Sequence, residues 1–372
     1  MNRAADVIVV GAGVIGLAVA YELSRRGARV RVLDARGEGQ GASQASAGML
    51  APHTENLDQP PLWRLGVRSL DLYDGFVDGV CHASHLDIEY RRCGSLHVGT
   101  SEAQMEDLRG TADRLKAAGV SCELLTAALV RELEPRIAGD VAGGVLVPDH
   151  GYVAVSDLMR AMSAAGSAGG MRVDVERVLR VGASASGVRV ETQTEVLHAP
   201  AVVVAAGSWT SRVAVEGDAA LPVRPVRGQL VQLDWPVSPL ARIVWGSDCY
   251  LVPWTTGALL VGATVEDAGF DERATTAGVH DLLASACDLL PSAWQAGFLG
   301  VRVGLRPATP DGLPVVGASL GVPGVYYATG HYRNGVLLAP ITAVLLADLV
   351  LGQGEDSALA SFAPGRFTGV RS

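Results

Sequence analysis

One run of six residues, Gly11-Ala12-Gly13-Val14-Ile15-Gly16, constrains the fold of this chain more than any other feature. Directly before it, Asp6-Val7-Ile8-Val9-Val10 is short, apolar and β-branched, the pattern of a central parallel strand covered on both faces. After it, residues 14–26 carry apolar side chains at helical spacing, and Gly27 supplies a stop. Residues 29–33 read as a second strand, with Asp34 at its end. The order strand, tight turn, helix, strand is that of a βαβ unit.

Each glycine of the turn has its own task. Gly11 permits the sharp bend, Gly13 lets a pyrophosphate approach the backbone, and Gly16 lets the helix pack closely on the strand. The free N–H groups and positive dipole end of the helix then face the phosphates. Asp34 lies near the offset at which a carboxylate accepts from ribose hydroxyls. A glycine-rich turn without a ligand leaves Asp34 unexplained, so a bound dinucleotide is expected. The acid disfavours a 2′-phosphate and hence NADP, but the fingerprint alone does not separate NAD from FAD.

Composition removes several other chemistries. The 372 residues are 49% hydrophobic and 19% charged, enough for a sizeable core in one large domain or two. A net charge of −9 argues against nucleic acid as a partner. Lys116 is the only lysine, in the polar stretch Asp113-Arg114-Leu115-Lys116, so a Schiff-base enzyme or a Walker-type phosphate loop is hard to build. Five scattered cysteines, Cys81, Cys93, Cys122, Cys249 and Cys287, include no C-x-x-C pair and suggest reduced thiols in the cytoplasm. His82 and His85 beside Cys81 have no second cluster to complete a metal site, and no metal is expected. Two apolar stretches, residues 7–23 and 335–351, are broken by glycines or by Pro340 and Asp348, so no membrane insertion is expected.

Further along, residues 41–57 are small and loop-like, and helices are predicted over 62–80, 102–118, 153–165 and 335–351. Strands are predicted over 172–178, 187–192, 201–205 and 324–328, and residues 222–265 alternate in the manner of an antiparallel sheet. Apolar βαβ-type pieces at both ends and in the middle, with antiparallel-looking pieces between, imply a discontinuous nucleotide-binding domain. Its expected segments are 1–80, 151–215 and 301–372. A sheet-rich substrate domain is expected to be inserted as 81–150 and 216–300.

Four segments add a resemblance: Gly41-Ala42-Ser43-Gln44-Ala45-Ser46-Ala47-Gly48-Met49-Leu50; Val202-Val203-Val204-Ala205-Ala206-Gly207-Ser208-Trp209; Gly304-Leu305-Arg306-Pro307 with Pro310-Asp311-Gly312-Leu313-Pro314; and Ala328-Thr329-Gly330-His331-Tyr332-Arg333-Asn334-Gly335-Val336-Leu337-Leu338-Ala339-Pro340. Together they resemble the D-amino-acid oxidase family of FAD-dependent amine oxidoreductases, and within it the glycine oxidases tied to thiazole formation in thiamine biosynthesis. Cys249-Tyr250-Leu251-Val252-Pro253 and Leu260-Val261-Gly262-Ala263-Thr264 are similar to the same branch. The likeness runs in order from the first strand to the last helix. It implies an α/β fold in which a Rossmann-like FAD-binding domain carries an inserted α+β substrate domain built on an antiparallel sheet.

The resemblance also implies roles. FAD would run along Gly11, Gly13, Val14, Ile15 and Gly16, with Asp34 and Ala35 at the adenosine ribose. Ala42, Ser43, Ala47, Gly48 and Met49 would lie by the pyrophosphate and the flavin ring, with Gly207 nearby and Val178 at the adenine. His331, Tyr332, Arg333, Asn334, Gly335, Val336 and Leu337 would wrap the pyrimidine side of the flavin at a helix N-terminus, where a dipole favours negative charge. No cysteine falls within residues 304–314, where covalent relatives attach their flavin, so non-covalent FAD is implied.

Arg306 would clamp the substrate carboxylate with its planar guanidinium, Tyr250 would donate to the same group, and Arg333, Met49 and Val265 would edge the pocket. An arginine between glycine and proline in an apolar stretch suits a surface ion pair poorly. A strand tyrosine, by contrast, equally suits a core. No catalytic residue beyond the flavin is needed, because the cofactor performs the hard chemistry. The implied reaction takes a hydride from the α-carbon of glycine or another small amine or D-amino acid, giving the imine, then the 2-oxo acid and ammonia, with oxygen reduced to hydrogen peroxide. Val265 stands where these glycine oxidases carry a longer methionine, which implies a roomier pocket. A sarcosine or D-amino-acid oxidase, or a quinone-linked D-amino-acid dehydrogenase, is the alternative. A small-molecule amino acid and oxygen are the implied partners, and a homo-oligomer, dimer or tetramer, is expected.

Overall fold

The alternation of valines in the first strand resolves, in the computed structural model, into two different cores. The structure describes residues 5–235, 240–255 and 257–367. The parts of the expected segments at 1–4, 236–239, 256 and 368–372 lie outside the described residues. A six-stranded sheet has the order Val315–Ala318, Val325–Thr329, Ala201–Val204, Val7–Val10, Val30–Asp34, Arg172–Val175. Its pairs are parallel except for the antiparallel pair at the Val315–Ala318 edge. Because side chains alternate across a strand, Val7, Val9, Val30, Val32, Ala201 and Val203 enter one core, shared with the helices Val14–Arg25, Pro60–Ser84, Val155–Ala168 and Gly335–Val350. Ile8, Val10, Leu33, Val202 and Val204 face the other way.

That second face is covered by a four-stranded sheet in the order Val196–Ala199, Gly187–Thr192, Val178–Ser184, Ala214–Val215, through Val181, Val188 and Val190. The predicted strand over 172–178 is in fact divided. Arg172–Val175 joins the central sheet, and Val178–Ser184 begins the covering one. The chain turns at Glu176 and Arg177, so one apolar run serves two layers. Full burial of each valine or leucine in these cores contributes about 1.5–3 kcal/mol.

The last helix, Gly335–Val350, is buried along most of its length and carries Pro340 in its interior. A proline there removes the amide that would bond to the carbonyl four residues back. The helix Pro60–Ser84 supplies the missing partners. Tyr73 Oη donates to Val336 O at 2.7 Å, and Ser69 Oγ donates to Leu337 O at 2.6 Å.

An eight-stranded sheet forms the second large layer: Gly297–Ala308, Arg224–Asp234, Ala258–Gly262, Tyr250–Pro253, Ile243–Trp245, Ser95–Gly99, Gly143–Val147, Glu123–Thr126. Its pairs are antiparallel except Ile243–Trp245 with Ser95–Gly99. The expected boundary at residue 301 falls inside the strand Gly297–Ala308, which pairs along Arg224–Asp234. A small sheet joins Met49–Leu50, which falls in the stretch 41–57 expected to be a loop, to Gly151–Val153 and Tyr90–Arg91. Among the described residues, no helix is long and apolar enough to cross a membrane.

Candidate active site

One cleft runs from the end of Val30–Asp34, past the start of the first helix, to the strands bearing Tyr250 and Arg306. At its first end Gly11 has φ of +111°, and a Cβ there would stand 2.4 Å from Ala205 O. Only glycine fits such a turn. The helix begins at Val14, where Gly13 as N-cap offers no side-chain acceptor and Ser43 Oγ accepts from Val14 N at 3.0 Å. Asp34 Oδ2 accepts from Ala12 N at 2.8 Å, while Oδ1 accepts from Arg36 N at 2.8 Å and Gly37 N at 3.1 Å. The carboxylate therefore holds the glycine turn in shape, and with roughly four lone-pair sites it can still accept from a ribose.

Gly16 stands where the helix packs closely on the strand, the place expected of it. A Cβ on it would lie 1.9 Å from Gly11 O, and the residue is not on the cleft wall. It is a packing glycine. Ala35, Val178 and Gly207 do line the cleft, as do Ala42, Ser43, Ala47, Gly48 and Met49. Gly48 has φ of +76° and would place a Cβ 1.8 Å from Val153 O, so backbone meets backbone there.

At the far end the helix Gly335–Val350 presents a second N-terminus, again without a side-chain cap, and Gly335 and Val336 line the cleft. His331, Tyr332 and Arg333 line it too, and Tyr332 sits at φ of +48° with its N–H donating to Pro307 O at 2.9 Å. Asn334 and Leu337 do not line the cleft: Asn334 Oδ1 accepts from Asn56 Nδ2 at 2.8 Å, and Leu337 is turned into the core. The buried ring of His331 points into the helix, 3.1 Å from Thr342 Oγ1, and burial pushes its pKa down to about 3. It offers backbone to the cleft and stays neutral. Two helix N-termini on one cleft, neither capped by its own N-cap side chain and joined by close-approach glycines, fit a long dinucleotide with a phosphate bridge and an anionic ring system.

Beyond that helix terminus lies the pocket expected for substrate. Arg306 Nη1 donates to Thr264 O at 2.9 Å and to Arg227 O at 3.4 Å. Gly228 lies beneath it in the paired strand, where a Cβ would come within 2.3 Å of the guanidinium. Among the described residues no carboxylate lies within ion-pair distance of Arg306. Tyr250 is built the same way. Gly262 stands opposite it, where a Cβ would meet the phenol at 2.3 Å, and Trp245 packs at 5.0 Å between ring centroids. Burial pushes the Tyr250 phenol up to about 12, so it remains a neutral donor. Arg333 lies over the Tyr332 ring at 5.5 Å, and Met49 and Val265 complete the expected lining.

Glu55, Trp245 and Cys249, none of them expected in the site from the sequence, also stand on the wall. Glu55 ends the helical turn Pro52–Glu55, inside the segment expected to be a loop. Burial raises its carboxyl pKa, and the nearby Arg333 and Arg306 oppose that rise. The signal was there to see in a single acid a few residues past the small-residue run 41–50, after a proline able to start a helix.

Residues 6–349 match the family model described as FAD dependent oxidoreductase. The chain is 36% identical to a glycine oxidase of Geobacillus kaustophilus over 99% of both chains. The crystal structure of glycine oxidase from that organism superposes with a TM-score of 0.93 at 35% identity, covering 99% of this chain and 100% of the other. A bifunctional protein ThiO/ThiG of a Nostoc species is 36% identical over 96% of this chain, which spans 54% of that protein. An iminodiacetate oxidase of a Chelativorans species gives a TM-score of 0.89 at 26% identity, covering 96% of this chain and 98% of the other. The chain belongs to the FAD-dependent oxidoreductase family that includes these amine oxidases.

Proposed function

We propose that this protein is an FAD-dependent oxidase of glycine, yielding the imine that hydrolyses to glyoxylate and ammonia. The observation that carries the reading is Arg306, a guanidinium with no carboxylate partner among the described residues, seated over Gly228 in the dinucleotide cleft. A site built to receive a carboxylate holds its cation in this way, fixed by carbonyls and short of a counter-ion. Tyr250 donates to the same carboxylate, and Arg333 and Glu55 set the charge at the amine side. Bound FAD supplies a two-electron acceptor for the α-hydride and passes the electrons on to oxygen as hydrogen peroxide. The protein's part is to hold the α-carbon against that acceptor, since correct orientation removes much of the barrier.

Full-length identity to a glycine oxidase supports glycine as substrate, and the ThiO/ThiG likeness supports thiazole formation as the use of the imine. A second reading, oxidation of larger small amines such as sarcosine or D-alanine, is favoured by Val265, which lines the pocket yet is 60% exposed. Visible spectra before and after anaerobic addition of glycine, sarcosine and D-alanine test both, followed by peroxide formation in air. Bleaching by glycine at the lowest concentration supports the first reading. A colourless protein, or one that none of these amines bleaches, overturns both. The expected cytoplasmic dimer or tetramer is a separate matter for size-exclusion chromatography with light scattering.

A further inference from the structure

A carboxylate clamp works only while its guanidinium is held in place, and Arg306 owes its aim to two carbonyls, those of Thr264 and Arg227. Thr264 lies just past the end of the strand Ala258–Gly262, where a single backbone bond, Thr264 N to Gln229 O at 3.2 Å, still ties it to the neighbouring strand. Its hydroxyl donates to Glu266 Oε1 at 2.5 Å and accepts from Gln229 N at 2.9 Å. Glu266 Oε1 also accepts from Gln229 Nε2 at 2.7 Å. Its other oxygen accepts from Arg227 Nη2 at 2.5 Å and Nε at 3.1 Å. The backbones of Arg227 and Glu266 exchange hydrogen bonds of 2.9 and 3.0 Å, so Arg227 O receives both Glu266 N and Arg306 Nη1. Arg227 is 6% exposed and Gln229 is 0% exposed.

We infer that Glu266 is a positioning residue for the substrate clamp, joining Thr264 to Arg227 so that their carbonyls orient Arg306. Glu266 is not on the cleft wall and touches no substrate, so it acts only through Arg306. Without its carboxylate the Gln229 amide loses one of its two acceptors, the Thr264 hydroxyl loses its acceptor, and Arg227 keeps Asp271 at 3.2 Å as its ion-pair partner. The Thr264 carbonyl is then steadied by backbone bonds alone, and the guanidinium loses part of its fixed direction. Arg306 itself stays in the pocket and the carboxylate contact is made alike before and during the hydride step, so its loosening falls mainly on affinity and little on turnover.

The inference rests on the assignment of Arg306 to the substrate carboxylate, and the test separates the two. The holoenzyme is titrated with glycolate, a carboxylate without an amine, by the perturbation of its visible spectrum, and glycine kinetics are measured alongside. In Glu266→Gln the Kd for glycolate and the KM for glycine rise together by about tenfold. The kcat stays within about twofold, with FAD content and Tm held. Thr264→Val, which keeps the backbone carbonyl but removes the hydroxyl joined to Glu266, shifts both constants in the same direction and covers the case of a Glu266 variant that fails to fold. Unchanged Kd and KM in these variants, while Arg306→Met weakens glycolate, overturn the role of Glu266 alone. Unchanged glycolate binding in Arg306→Met overturns the clamp and this inference with it. A loss of FAD or of Tm with Kd unchanged assigns Glu266 to structure only and overturns the inference.

Discussion

The phenol of Tyr73 donates to the carbonyl of Val336 at 2.7 Å, filling the place of the amide that Pro340 cannot provide. This contact fixes the first turn of the helix whose N-terminus lines the cofactor cleft. Tyr73→Phe keeps the ring, with its stacking on Tyr90 at 5.9 Å, and removes only the donor. A buried carbonyl left unpaired costs about 1–3 kcal/mol. Thermal unfolding of the holoenzyme is therefore expected to shift down by a few degrees, with the cofactor still bound. An unchanged Tm would mean that the proline gap is satisfied by other means.

Arg306→Lys keeps the charge and discards the planar fork, so it isolates geometry from electrostatics. Loss of a bidentate, charge-assisted contact in a half-buried site is expected to cost about 2–3 kcal/mol of carboxylate binding, or roughly a hundredfold in KM for glycine. Steady-state kinetics read the effect, and FAD absorbance confirms that the cofactor remains. A lysine variant with the wild-type KM would sink the bidentate clamp.

Much of the nucleotide half was legible because its signals are local. The glycine turn, the acid that steadies it and the period of the valines all lie within residues 6–34, and the structure places them in one unit. What was not legible depends on strands far apart in the chain. Gly228 and Gly262 matter because they stand under Arg306 and Tyr250, a fact set by sheet register and not by neighbouring residues. Glu55 was lost for another reason. Four residues of helix, Pro52–Glu55, are too short to leave a period. The split at Glu176 and Arg177 escaped because a β-branched run reads alike in one strand or two. Asn334 and Leu337 belong to the closing motif of the cleft, yet one pairs with Asn56 and the other faces the core, a distinction that needs coordinates.

Buried neutral histidines give a pH signature. Burial holds the pKa of His331 down at about 3 and that of His150 well below its ordinary value of 6.5. Each folded-state pKa lies below the unfolded one, so unfolding takes up protons once pH drops under about 6.5. Their contribution is complete above that pH and is lost progressively towards the folded pKa, at about 1.4 kcal/mol per pH unit per histidine. Urea denaturation between pH 7 and pH 5 should show this acid-side decline, and His331→Asn should make it shallower by about one proton. An unchanged slope in the variant would show that His331 is not a neutral buried group.

The segment after Val265 reaches back to the opposite end of the cleft. Glu272 pairs with Arg36 at 2.8 Å, Arg36 lies 4.1 Å over the Trp209 ring, and Phe270 sits between Trp209 at 5.8 Å and Arg212 at 3.6 Å. Arg36, Trp209 and Arg212 all line the cleft, so a strap from the Val265 end is fastened to its wall. The ion pair is one-third exposed on both partners and is worth little, whereas the Phe270 contacts add apolar burial to a cation–π term of about 0.5–1 kcal/mol. Phe270→Ala is therefore expected to raise the Kd of FAD by about tenfold, and Glu272→Gln by far less, with a salt dependence that the phenylalanine variant lacks. Titration of apoprotein with FAD, followed by quenching of flavin fluorescence, measures both. Equal retention in wild type and Phe270→Ala would mean that the strap covers the cofactor without holding it.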